Sequence, residues 1–131
     1  MQVLQPDNWK RPRGYSNGIA ASGRFVFVAG QVAFDPTTAE IVSDDFAAQV
    51  RQTLANTVEV LREGGAEPGH ICRMTWYVTS KQAYIDQIAE VGAAYQETIG
   101  RHYPAIALIE VKGLLDPRAQ VEIETTAVVP E

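Results

Sequence analysis

Two neighbouring stretches carry the residue types best suited to chemistry. In Val121-Glu122-Ile123-Glu124-Thr125-Thr126-Ala127-Val128 the residues alternate strictly, which puts Glu122, Glu124 and Thr126 on one side of a strand and Val121, Ile123, Thr125 and Ala127 on the other. A carboxylate pair on one face is either solvated or kept to orient water and move protons. The earlier run Pro104-Ala105-Ile106-Ala107-Leu108-Ile109-Glu110-Val111 is apolar on both faces until Glu110. Between the two lies Lys112-Gly113-Leu114-Leu115-Asp116-Pro117-Arg118, whose turn residues predict a wide hairpin with the runs paired antiparallel. Just before the first run stand Arg101, His102 and Tyr103. Their cations could serve a ligand and His102 could exchange protons near neutrality, unless the cluster is only a solvated helix exit complementing the dipole.

Other candidates are more scattered. Tyr15 follows a glycine at the start of a strand and is either a ligand-bonding phenol or a packing anchor. Gln31 lies just past Gly30, where its amide could bond a ligand or satisfy loop backbone. Cys72 sits inside a strand pattern without a cation on its own face, which reads as an inert thiol. One cysteine and two distant histidines, His70 and His102, make neither a disulfide framework nor a metal site, so no metal and no cofactor are expected. Gly64-Gly65 ends a helix rather than opening one, which removes the phosphate-loop reading.

Alternating and helical periods locate the elements that position these residues. Across 131 residues, 46% hydrophobic and 21% charged, the composition is that of a globular chain read as one domain spanning 1–131, with 1–14 as an N-terminal arm. A net charge of −5 without clustered basic residues disfavours nucleic acid, and neither a leader pattern nor a spanning segment is apparent, so a cytoplasmic protein without membrane contact is expected. A first strand is predicted within Ser16–Ser22, turned by Ser22-Gly23 into a second strand over Phe25–Ala29. Ser43 is the expected cap of a helix whose apolar face is Phe46, Val50, Leu54, Val58 and Leu61. A third strand follows over Ile71–Val78, then Ser80 caps a second helix marked by Tyr84, Ile88, Val91, Tyr95 and Ile99. The order is β-β-α-β-α-β-β, an α+β subunit with two helices on one face of a five-stranded, mainly antiparallel or mixed sheet. Large apolar groups on both faces of the inner strands (Phe25 and Val26, Trp76 and Tyr77, Leu108 and Ile109) then require an outside cover, for which a symmetric oligomer is the economical answer.

Several motifs together resemble the RidA/YjgF family of reactive-intermediate deaminases, also called the L-PSP endoribonuclease family. They are Gly14-Tyr15-Ser16, Phe27-Val28-Ala29-Gly30-Gln31, Asp35-Pro36-Thr37-Thr38-Ala39-Glu40, the helix run Ala48 to Asn56, Arg73 to Val78, Pro104-Ala105 and Val121-Glu122-Ile123-Glu124. The resemblance implies a chorismate-mutase-like fold and a homotrimer with clefts between subunits. In deaminating members an Arg after the Pro-Ala pair grips the substrate carboxylate, and a Glu on the last strand orients water; the matching positions are Ile106 and Glu122. Gly92 stands where such members often carry Asn.

The function expected from this reading is hydrolytic deamination of an imine or enamine with release of ammonia. Glu122 is the expected catalytic residue, and Tyr15, Gln31, Ala105, Ile106, His102 and Arg101 are expected to bind substrate. With Ile106 in place of the Arg, a less anionic or more apolar substrate is expected. The rival readings are a non-catalytic metabolite-binding protein of the same fold and, disfavoured by the acidic charge, an endoribonuclease.

Overall fold

The computed structural model describes residues 1–131. Its strands are β1 (Gln2–Leu4), β2 (Gly18–Ala20), β3 (Arg24–Gln31), β4 (Ile71–Val78), β5 (Ala105–Glu110) and β6 (Val121–Val129). Its helices are α1 (Phe46–Glu63), α2 (Lys81–Asp86) and α3 (Ile88–Thr98), with a single 3₁₀ turn over Pro68–His70. The α+β class is as expected, with three helices packed on a mixed sheet.

The expected hairpin between the two C-terminal runs is not formed. The four-stranded sheet has the order β3-β6-β4-β5, so β4 separates β5 from β6. β5 pairs with β4 in parallel, and β6 is antiparallel to both β3 and β4. The reason is the helical excursion after β4: α2 and α3 carry the chain back to the starting end of β4, which permits only a parallel return. The turn-rich connection after β5 then crosses β4 instead of folding back beside β5.

Three smaller expectations are also corrected. β2 does not pair with β3; it forms a separate two-stranded ribbon with β1, which lies in the segment read as an N-terminal arm. Asp45, not Ser43, caps α1, its Oδ2 accepting from Ala48 N at 3.0 Å while Ser43 Oγ accepts from Asp45 N one step earlier. The second helix is broken at Gln87, whose Oε1 accepts from Ala47 N of α1 at 3.0 Å, so one helix yields a residue to satisfy the open end of another. Ser80 does cap α2, through Ala83 N.

The core lies between the helices and the inner face of the sheet. Phe46, Val50, Leu54 and Leu61 of α1 meet Ile71, Met74 and Val78 of β4 and Val121 and Ile123 of β6, all at most 2% exposed. The strict alternation of β6 is therefore realised, with its odd-numbered residues from Val121 to Ala127 buried.

Registers define the other face. Tyr77 pairs with Glu122, Thr75 with Glu124 and Phe27 with Thr126, so all six lie on the side away from the helices. Phe25 is 56% exposed, Phe27 72% and Ile109 45%, and the two phenylalanine rings are 5.9 Å apart.

Candidate functional site

Glu122 sits at the start of β6 on the helix-free face, half-buried against the end of β3. A Cβ at Gly30 would collide with its carboxylate, so glycine at 30 is what lets that carboxylate lie on the strand. The pairing of β3 with β6 is irregular between Val28 and Gln31, and this bulge carries Ala29 and Gly30 past Glu122. Gln31 is spent locally, its Nε2 donating to Ala29 O at 3.2 Å. Glu124 accepts from Tyr77 Oη at 2.7 Å, and that bond raises the phenol above its ordinary value.

Two buried polar residues of α1 hold this corner together. Asn56 Nδ2 donates to Val32 O at 3.1 Å and Phe34 O at 2.9 Å, fixing the chain beyond Gln31. Gln49, fully buried, donates to Ser43 O and Arg118 O and accepts from Gln120 N at 2.8 Å, fixing the entry to β6 one residue before Val121. Each amide is matched to backbone that has no ladder partner of its own. Read along the helix, both look like ordinary polar positions; only their repetition of the family run Ala48–Asn56 marked them.

Ile106 lies elsewhere. Its register partner is Met74, and that of Leu108 is Trp76, so both point towards the helices, opposite to Glu122. Together with α3 and the turn at 13–15 they form a cup of about 480 Å³. Its floor is Trp76, Val91, Tyr95, Ile106 and Leu108, and its mouth includes Arg13, Tyr15 and Gln96. Gly14, at φ +78°, turns the chain so that Arg13 and Tyr15 meet the cup. Ser16 then stitches this turn to the start of β5: its N–H donates to Pro104 O at 2.9 Å and its Oγ to Tyr103 O at 2.5 Å. The rings of Tyr95 and Tyr103 stack with centroids 5.5 Å apart. Burial pushes the Tyr95 phenol up, and it donates to His102 O at 2.6 Å.

The residues singled out in the sequence thus fall into three places. Tyr15 and Ile106 line the cup, as does Gly92, so both departures from the deaminating pattern border one cavity. Glu122 lies at the opposite face, and Ala105 also points there, beside Arg73, whereas Gln31 has the core residue Ile123 as its register partner and does not share the face of Glu122. His102 is structural: its Nε2 is 2.7 Å from Ile71 O, and since a carbonyl only accepts, that nitrogen carries the hydrogen. Arg101 is exposed and does not line the cup. Burial raises the Cys72 thiol, which donates weakly to His70 O, so nothing activates it. Arg13 and Gly92 escaped the sequence reading as ligand residues, because the cup is assembled from four separated segments.

No group of three or more acidic, histidine or cysteine side chains is placed to hold a metal ion. No helix is long and apolar enough to cross a membrane.

Known proteins share this arrangement. The family model described as endoribonuclease L-PSP matches residues 9–129. A RutC family protein of Pyrococcus horikoshii is 34% identical over 128 residues, 96% of each chain. The 2-iminobutanoate/2-iminopropanoate deaminase of Salmonella typhimurium is 32% identical over 109 residues, covering 81% of this chain and 80% of that one. Among solved structures, a Rid-family protein of unknown function from Yersinia pestis superposes with a TM-score of 0.82 at 36% identity over 98% of both chains. Escherichia coli TdcF, solved with bound serine, gives 0.69 at 26% identity, covering 98% of this chain and 99% of that one. With its motifs, its sheet order and these likenesses in agreement, the chain belongs to the RidA/YjgF family.

Proposed function

We propose that this protein is an imine or enamine deaminase that works at clefts between the subunits of a homotrimer. The observation that carries the reading is Glu122, a half-buried carboxylate seated on Gly30 on a face of the sheet that no helix covers. Within one chain Glu122 and the cup lie on opposite faces of the sheet, so a ligand in the cup meets this carboxylate only if the Glu122 belongs to another copy. Exposed Phe25, Phe27 and Ile109 supply the apolar surface for such an assembly. The deaminases among its relatives support the chemistry.

In this mechanism the glutamate accepts a proton from water as the water oxygen bonds to the C=N carbon. The π pair moves to nitrogen, which takes up a proton, and a carbinolamine results. The glutamate then returns its proton to the amine nitrogen, the C–N bond breaks with its electron pair leaving on ammonia, and the hydroxyl proton passes to solvent as the carbonyl forms. An enamine enters after a proton is added at its carbon. Tyr15 and the backbone around Ala105 hold the substrate, and no cofactor takes part.

The test is Glu122→Gln. Ammonia release from imines generated in situ should fall by roughly a hundredfold in kcat with assembly and ligand affinity retained. Unchanged turnover would remove Glu122 from the chemistry, and the absence of turnover by the wild type on any imine would leave a metabolite-binding protein.

A further inference from the structure

The cup has features that a small imino acid does not require. Cavities of about 300–1,000 Å³ suit ligands of drug size, and this one, at about 480 Å³, has nine hydrophobic lining residues. Trp76, Tyr84, Tyr95 and Tyr103 contribute rings to it. Trp76 Nε1 is buried without a partner, so the tryptophan offers the cup ring carbon rather than its donor.

Gly92 points the same way. It lies in the interior of α3, where glycine costs about 1 kcal/mol relative to alanine, and a Cβ there would meet nothing within 4 Å. Neither backbone geometry nor crowding calls for glycine at this position. Its effect is to leave one wall of the cup open between Ile88, Val91 and Tyr95.

Charge is confined to the mouth. Ile106 brings none, whereas Arg13 lines the cup, is exposed and forms none of the ion pairs of the chain, which are Arg51–Glu97, Arg62–Glu67 and Arg118–Asp44. The Ser16 bonds to Tyr103 and Pro104 tether its segment to β5, so this cation is held near the strand that carries Ile106.

We infer that the cup receives the ring of an aromatic 2-imino acid and that Arg13 takes its carboxylate at the mouth, in the role Ile106 cannot fill. The imine rests on the deaminase reading above; the ring and the carboxylate do not. An apolar body with one anionic end matches a cavity with ring-lined walls and a single guanidinium at its rim.

The test uses three stable probes in calorimetric titrations of the intact assembly: phenylpyruvate, pyruvate and phenylpyruvamide. Phenylpyruvate should bind at least about tenfold more tightly than either, since pyruvate lacks the ring and the amide lacks the charge-assisted contact. Arg13→Gln should abolish the preference for phenylpyruvate over its amide, with Arg13→Lys retaining part of it, while the preference over pyruvate persists. Gly92→Leu should weaken phenylpyruvate about tenfold or more and leave pyruvate within about twofold. Circular dichroism and mass confirm that each variant is folded and assembled; Arg13 is exposed and the space beside Gly92 is open, so both substitutions are compatible with the fold.

Equal affinity for pyruvate and phenylpyruvate would overturn the inference, as would an Arg13→Gln variant that still prefers phenylpyruvate to its amide. If the predicted binding pattern holds but the imine of phenylalanine releases no extra ammonia, the inference stands and the deaminase reading falls. Turnover confined to small imino acids would do the opposite, overturning the inference and upholding the deaminase reading.

Discussion

The two faces of the sheet are built on different principles. On the inner face the chain completes its own packing: Val121, Ile123, Met74 and Val78 are sealed by α1, and where α3 leaves a gap the result is a cup with an apolar floor. On the outer face Phe25 and Phe27 stand in solvent beside Tyr77, Glu122 and Glu124, with no element of the chain above them. The first face is finished by folding and the second calls for association. The proposed chemistry is divided the same way, since the pocket belongs to the first face and the carboxylate proposed to orient water to the second.

The most disruptive way to break this contrast is to charge the outer face. Phe27→Glu removes a ring worth about 1.5–3 kcal/mol on burial from every copy and places a carboxylate where an apolar contact is expected. Sedimentation should show the proposed trimer weakened by more than about a hundredfold; an unchanged mass would mean that this face is not the interface.

A substitution on the helix side should act on the fold instead. Gln49→Ala leaves Ser43 O, Arg118 O and Gln120 N without their partner and should cost about 3 kcal/mol of stability. Chemical denaturation measures it. A cost below about 1 kcal/mol would mean that water replaces the amide and that α1 does not hold the entry to β6.

The smallest expected effect sharpens the contrast at the cup. Tyr95→Phe keeps the ring and loses the bond to His102 O, a cost of about 1 kcal/mol. It should also change the alkaline response. Because burial raises the Tyr95 phenol in the folded protein, its contribution is complete below the ordinary tyrosine range and is lost as pH rises through and beyond it. Thermal melts across that range should therefore fall less steeply for the variant than for the wild type.

Legibility from sequence followed the same division. The inner face was readable because a period of two in Val121–Ala127 and a helical period in Phe46–Leu61 each report burial directly. Strand order was not, because the apolar run of β5 fits either a parallel or an antiparallel neighbour, and the turn residues at 112–118 do not say how many strands the connection crosses. Gln49 and Asn56 look solvated in the sequence, since a buried amide is recognised only once the loops it bonds are in place. The expected hairpin made the strands of Ile106 and Glu122 direct neighbours; with β4 between those strands and the two side chains on opposite faces, they can cooperate only across copies.

The proposed division between copies can be measured by mixing two inactive chains. Glu122→Gln removes the carboxylate and leaves the cup, whereas Gly92→Trp fills the cup and leaves the carboxylate, and each alone should release almost no ammonia from the imine that the wild type turns over. Co-assembled in equal amounts, symmetric trimers should place an intact cup against an intact Glu122 in about a quarter of their clefts and recover about that fraction of wild-type activity. Mixed trimers, verified by mass, that remain as inactive as their parents would contradict the claim that the site is shared between subunits.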